Sequence, residues 1–214
     1  MPHPKEDRNP WGFSVKMKVS LLYTPSTVGH SMATAKTGSF YLTETVTIPA
    51  GTLTATMNQS IVDLSAYVNV PTGQAIAIDS VDFVYQMGTT FGQEASSFIQ
   101  TNGAVQVQLT DLNPGNALIR ADGQSLVASG AVNIDVANNI ASYDVDIYPD
   151  NFGPAALSEA FLVVNDSLYL TAGPSGATSN AGADLYVTAR IRCRVVKLST
   201  KDWMAIAIQS TAEA

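Results

Sequence analysis

The sequence predicts an all-β protein, an antiparallel sandwich or barrel of about nine or ten strands. Three observations predict it. Apolar and polar residues alternate with period two along much of the chain, as in Ala104–Thr110 (AVQVQLT), and in a strand successive side chains point to opposite faces. Turn signals recur between these runs: Pro71-Thr72-Gly73, Asn113-Pro114-Gly115, Asp122-Gly123 and Asn138-Asn139. Neither a heptad nor an internal repeat competes with that pattern. At 214 residues a single core is expected, because sandwiches and barrels often reach this size as one domain.

Taken in order, residues 1–14 read as an irregular arm, where three prolines, mixed charges and Gly12 block regular structure. Trp11 and Phe13 are its anchors and are expected to dock on a neighbouring subunit. Val15–Tyr23 alternates Val15, Met17, Val19 and Leu21 with Lys16, Lys18 and Ser20, giving a strand with an apolar and a basic face. Residues 24–38 form a polar loop. Ser39–Pro49 is a Thr-, Tyr- and Val-rich strand stopped by its proline. Leu53–Met57 reads as a short strand, and Ile61–Val70 as a helical turn near Asp63–Tyr67 followed by extended chain. Gln74–Met87 is a long strand whose rhythm breaks at Asp79 and Asp82, as at a bulge. After a polar loop over Gly88–Gly103 come strands at Ala104–Thr110, Ala117–Ala121, Val127–Val136 and Ile140–Tyr148. Pro154–Ala160 suits a short helix, Phe161–Thr171 a strand, and Gly173–Gly182 a flexible loop. Asp184–Leu198 is the last long strand. In the tail, 199–214, Ser199 with Asp202 three residues on resembles a helix N-terminus, while Met204, Ile206 and Ile208 alternate with alanines as in a further strand; a short terminal helix is the expectation taken, after a β-sandwich spanning 15–198.

Charge is sparse and segregated. Charged residues make up 14% of the chain, against an ordinary ~25%, so Ser, Thr, Asn and Gln must supply much of the polar surface. Such a surface is easily desolvated against copies of the same chain. The net charge of −7 hides an uneven distribution: between Thr37 and Ala189 there is one basic residue, Arg120, against fourteen carboxylates. The other basic residues lie near the two ends. Arg190, Arg192 and Arg194 sit two apart in the last strand and share one face, while Ile191, Cys193 and Val195 share the other. The simple alternative is a solvated strand face. If the two ends meet, the molecule is two-sided, cationic against anionic.

Catalytic chemistry finds little support. There are two histidines, His3 and His30, and no CxxC, HExxH or phosphate-cradling loop. The single cysteine, Cys193, excludes an internal disulfide and reads as a buried structural thiol. Asp144 and Asp146, with Asp150 at the strand end, are the candidate oxygen ligands for calcium, or a glycosidase acid–base pair. The simpler reading is that they solvate an outer strand face, and Asp79, Asp82 and Asp135 are read the same way. The tyrosines lie in acidic stretches, which disfavours a base-stacking platform. No stretch approaches the ~20 apolar residues of a membrane span, and the first residues lack an apolar signal core, so synthesis and folding in a cytoplasm are expected.

The order of arm, strands, long polar loops and basic strands near both ends resembles viral jelly-roll capsid proteins. The resemblance is architectural and covers most of the chain. It implies a single jelly-roll-type sandwich of about eight to ten strands, self-assembly into a virion shell in a host cytoplasm, and no enzyme activity or small-molecule substrate. It also implies that the first and last strands of the roll are neighbours, which would place Lys16 and Lys18 beside Arg190, Arg192 and Arg194. The implied partners are copies of the chain, other capsid proteins, and genome phosphates or an internal membrane. The arm is not the long Arg-rich tail that many such coats carry. The rival class is a surface β-sandwich for adhesion or carbohydrate binding, calcium-dependent through Asp144 and Asp146.

Overall fold

The computed structural model describes residues 33–144 and 160–211. Trp11, Phe13, Lys16, Lys18, Asp146 and Asp150 lie outside those residues, as do the arm and the strand expected at Val15–Tyr23. Among the described residues the chain forms β1 (Thr34–Ala35), β2 (Phe40–Ile48), β3 (Asn58–Asp63), β4 (Gln74–Met87) and β5 (Gly103–Thr110). It continues with β6 (Leu126–Asp135), β7 (Ile140–Asp144), β8 (Phe161–Val163), β9 (Ser167–Ser175), β10 (Leu185–Lys197) and a terminal helix α1 (Thr200–Thr211).

The strands make two five-stranded antiparallel sheets. In the first, β10 is central: β2 and β1 share one of its edges, β4 lies along the other, and β8 follows β4. The second runs β3-β9-β5-β6-β7. The pairing is nested, with β2 on β10, β3 on β9, β4 on β8 and β5 on β6. Successive pairs fall in alternate sheets, so one folded ribbon of paired strands winds around one core. This is jelly-roll topology.

The period-two pattern explains the core. Val46, Ile76, Ile78, Val81, Phe83, Val187, Ile191 and Cys193 face inward from the first sheet, and Val105, Val107, Leu109, Ile134, Leu168 and Leu170 from the second. All are buried. A second apolar cluster lies on the outside of the first sheet. There Ala75, Ala77, Val196 and Leu198 are covered by Trp203, Ile206 and Ala207 of α1. The three helical residues are spaced i, i+3, i+4 and so share one face. The alanines of β4 leave room for that helix. Ser199 caps it: the Asp202 N–H donates to Ser199 Oγ at 3.2 Å, and Ser199 Oγ donates to Asp202 Oδ2 at 2.7 Å. Gly73 carries φ +67°, and a Cβ there would lie 2.6 Å from the Leu198 carbonyl oxygen. Its own carbonyl accepts from the Leu198 N–H at 2.8 Å, which ties the end of β10 to the turn before β4.

Several expected elements differ. Leu53–Met57 is not a strand: Ala55 has φ +61°, and extended pairing begins at Asn58. Residues 117–121 form no strand either. The Ile119 N–H and carbonyl are satisfied by the Gln108 side chain at 2.8 and 2.9 Å, so the segment needs no ladder. The apolar run Phe161–Thr171 is two strands, β8 and β9, in different sheets. Hydrophobicity alone does not mark the crossing. The strand expected at Val15–Tyr23 lies outside the described residues; among those, β10 has β2 and β1 along one edge and β4 along the other. Among the described residues the first long strand is β2, and it is a neighbour of β10.

The cationic face of the last strand

Strand β10 presents its three arginines outward, as their spacing requires. Ala189, Ile191, Cys193 and Val195 are buried, while Arg190 is exposed and Arg192 and Arg194 are half-buried. The cross-strand neighbours differ for each arginine, and they decide what each can do.

Arg190 lies between Thr43 of β2 and Asp82 of β4 in register. Its guanidinium stands 5.3 Å from the centroid of the Tyr41 ring, within range of a cation–π interaction. Arg192 lies between Tyr41 and Ser80. Its Nε is buried without a hydrogen-bond partner. Neither Arg190 nor Arg192 forms an ion pair among the described residues, where the pairs are Arg120–Asp122 and Arg194–Asp79.

Arg194 is committed inward. Its Nη2 lies 2.5 Å from Asp79 Oδ1, and Ser39 Oγ donates to Asp79 Oδ2 at 3.2 Å. The pairing register slips between Arg192 and Cys193, which face Ser80 and Ile78. Asp79 is the extra residue, a bulge that turns its carboxylate to the arginine instead of into the ladder. The bulge expected from the broken rhythm is therefore present, but Asp79 is not a solvating residue. It is 1% exposed, and a buried carboxylate persists only when it is paired and hydrogen-bonded. The sequence flagged Asp79 as irregular; only the register shows that Arg194 is its partner.

Cys193 is fully buried, and desolvation, reinforced by the Asp79 charge, pushes its thiol up to about 12. It is an inert core residue. Farther along, Lys197 is exposed at the end of the strand, and Lys36 Nζ donates to Gln74 Oε1 at 3.3 Å.

The acidic candidates do not gather. Among the described residues no three His, Cys, Asp or Glu side chains are placed to hold a metal ion. Asp144 ends β7 opposite Ala131, and Asp146 and Asp150 are not described. Asp135 instead builds the β6–β7 turn. It accepts from Asn138 Nδ2 at 2.6 Å and from the Asn138 N–H at 3.3 Å, and those bonds hold its carboxyl below the usual range. No helix among the described residues is long and apolar enough to cross a membrane.

The class defined by this geometry is an antiparallel jelly-roll sandwich with a cationic strip on its central strand and a terminal helix on the same sheet. No family model matches the chain, and no curated protein matches its sequence. Among solved structures it is similar to Merkel cell polyomavirus VP1 in complex with disialyllactose: 11% identity, 78% of this chain and 100% of that chain covered, TM-score 0.38. The VP1 complex with 3'-sialyllactosamine gives 10%, 78%, 100% and 0.37. An unassembled Washington University polyomavirus VP1 pentamer gives 9%, 78%, 99% and 0.35. Likeness at this level says nothing about function.

Proposed function

We propose that this chain is a structural shell protein that assembles with copies of itself into a viral capsid, with the arginine face of β10 turned to an anionic interior. The observation that carries the reading is the pair Arg190 and Arg192. Two guanidinium groups stand outward on the central strand without a carboxylate partner among the described residues, in a chain whose middle is strongly acidic. Arg194 is neutralised within the fold, so the strip is narrower than the spacing suggests. Attraction to phosphates there would be sequence-independent and salt-sensitive. Genome phosphates and the headgroups of an internal membrane are the interior surfaces such a strip would meet. Self-association would use the low-charge Ser, Thr, Asn and Gln surfaces, repeated by symmetry. Shell contacts of that kind bury above ~1,000 Å².

Negative-stain electron microscopy with sedimentation of the purified full chain tests the assembly. Closed oligomers or shells are expected. A protein that stays monomeric across salt and pH would overturn the proposal.

A further inference from the structure

A second site lies at the C-terminal end of β10, beyond the arginine strip, and it stands independently of the shell reading. The turn Val70–Thr72 before β4, the end of β10 and the first turn of α1 border a cavity of about 800 Å³. The contacts already described build it: Gly73 ties that turn to Leu198, and Ser199 starts α1 directly afterwards.

The charge in this cavity is of one sign. Lys36 and Lys197 line it, and no carboxylate does. Lys197 ends β10, where it faces Thr34 of β1 and Gln74 of β4 in register. Gln74 also reaches Lys36: its Nε2 donates to the Tyr67 carbonyl at 2.9 Å, which leaves Oε1 to accept from Lys36 Nζ at 3.3 Å. Lys201 follows in the first turn of α1, so the three lysines of the described residues gather at this end of the fold. Ser199 and Thr200 bring the start of α1 to the same cavity, and a helix start adds partial positive charge and N–H groups without partners inside the helix. The carboxylate of that turn, Asp202, accepts from Ser199 Oγ and is not part of the lining. Like charges brought together at a helix start are unfavourable, and an anion among them offsets that cost.

The remaining wall is mostly apolar. Val70, Pro71, Leu198, Trp203 and Met204 form it, and Val70 and Met204 are exposed, at 59% and 55%. Cavities of ~300–1,000 Å³ with apolar walls and a few placed polar groups suit small ligands. A neutral ligand would leave the lysines uncompensated, and inorganic phosphate would leave the apolar wall in water.

We propose that this cavity holds a single-chain aliphatic anion, an alkyl chain ending in a phosphate or carboxylate. Its head group is held by Lys36, Lys197 and the start of α1, and its chain lies against Val70, Trp203 and Met204.

Isothermal titration calorimetry on the full chain tests this, with octyl phosphate as the probe. Octanol, which lacks the charge, and ethyl phosphate, which lacks the chain, are the controls. Saturable binding of octyl phosphate is expected, at least about tenfold tighter than either control. Lys36 and Lys197 are exposed, so the double variant Lys36→Gln/Lys197→Gln is expected to keep the fold and to bind octyl phosphate about tenfold more weakly. Met204→Glu, which sets a carboxylate in the lining at an exposed helical position, is expected to abolish binding. No saturable binding in the wild type, a control that matches octyl phosphate, or undiminished affinity in either variant would overturn the proposal. Tighter binding of a tetraglutamate peptide would make the occupant an acidic protein segment and overturn it too. So would association with phosphatidylglycerol vesicles without binding of monomeric octyl phosphate, which would make the site a membrane-facing surface.

Discussion

Arg194 and Arg190 lie on the same strand, on the same face, four residues apart, yet they do opposite things. Arg194 faces a bulge that delivers a buried carboxylate, and its charge is cancelled inside the protein. Arg190 faces regular ladder and leans on an aromatic ring at the surface. One inserted residue, Asp79, separates a structural arginine from one available to a partner. The difference teaches that charge spacing in a sequence counts candidates, while strand register sorts them.

The sharpest way to break this contrast is to remove the bulge carboxylate. Asp79→Ala leaves Arg194 half-buried without its partner and is expected to cost about 3 kcal/mol in urea unfolding. Arg190→Ala is expected to change stability by under ~0.5 kcal/mol, as for an ordinary surface site. Equal losses from the two would erase the distinction. Next in size is Gly73→Ala, which forces a side chain into left-handed backbone and against the Leu198 carbonyl. A loss of about 2 kcal/mol is expected, again by urea unfolding, with faster hydrogen exchange at the end of β10. Away from the strip, Tyr85→Phe removes a buried hydroxyl that has no partner among the described residues and is expected to raise stability by about 1 kcal/mol. A clear loss would show that the hydroxyl is already satisfied.

Arg190→Ala sharpens the comparison from the functional side. In filter binding to single-stranded RNA, it is expected to reduce the slope of log affinity against log salt by ~0.7. A charge-preserving Arg194→Lys is expected to leave that slope unchanged.

The smallest effect concerns acid. The Asp135 carboxyl is held below its ordinary range in the fold, so its contribution is present at neutral pH and above. That contribution fades as pH falls from the ordinary carboxylate range, about 4, through its lower folded value. Asp135→Asn should flatten that part of the acid-unfolding profile and leave stability near neutral pH little changed.

Much of this was legible from pattern. The β4, β5 and β6 runs, the strand over Leu185–Lys197 and the capped helix at Ser199 all followed from period-two alternation, turn residues and capping chemistry, which are local. The failures were of another kind. Leu53–Met57 and 117–121 looked strand-like but had no partner strand to complete them. That β2 pairs with β10 was not legible either, because pairing is settled by winding across more than a hundred residues and leaves no local trace. The lysine-lined cavity was equally hidden: Lys36 and Lys197 are 161 positions apart in sequence (197 − 36) and line one cavity only once β1 and β4 pair with β10.

By itself, then, the chain's order of side chains settled that this is a β protein with a sparse, segregated charge and an outward row of arginines, because alternation along a strand needs nothing but the backbone's own geometry. Which arginine meets a carboxylate, and which tyrosine loses its hydrogen bond, was decided only when strands distant in sequence came into register. Pairing and desolvation belong to neighbours in space, and a linear sequence does not name them.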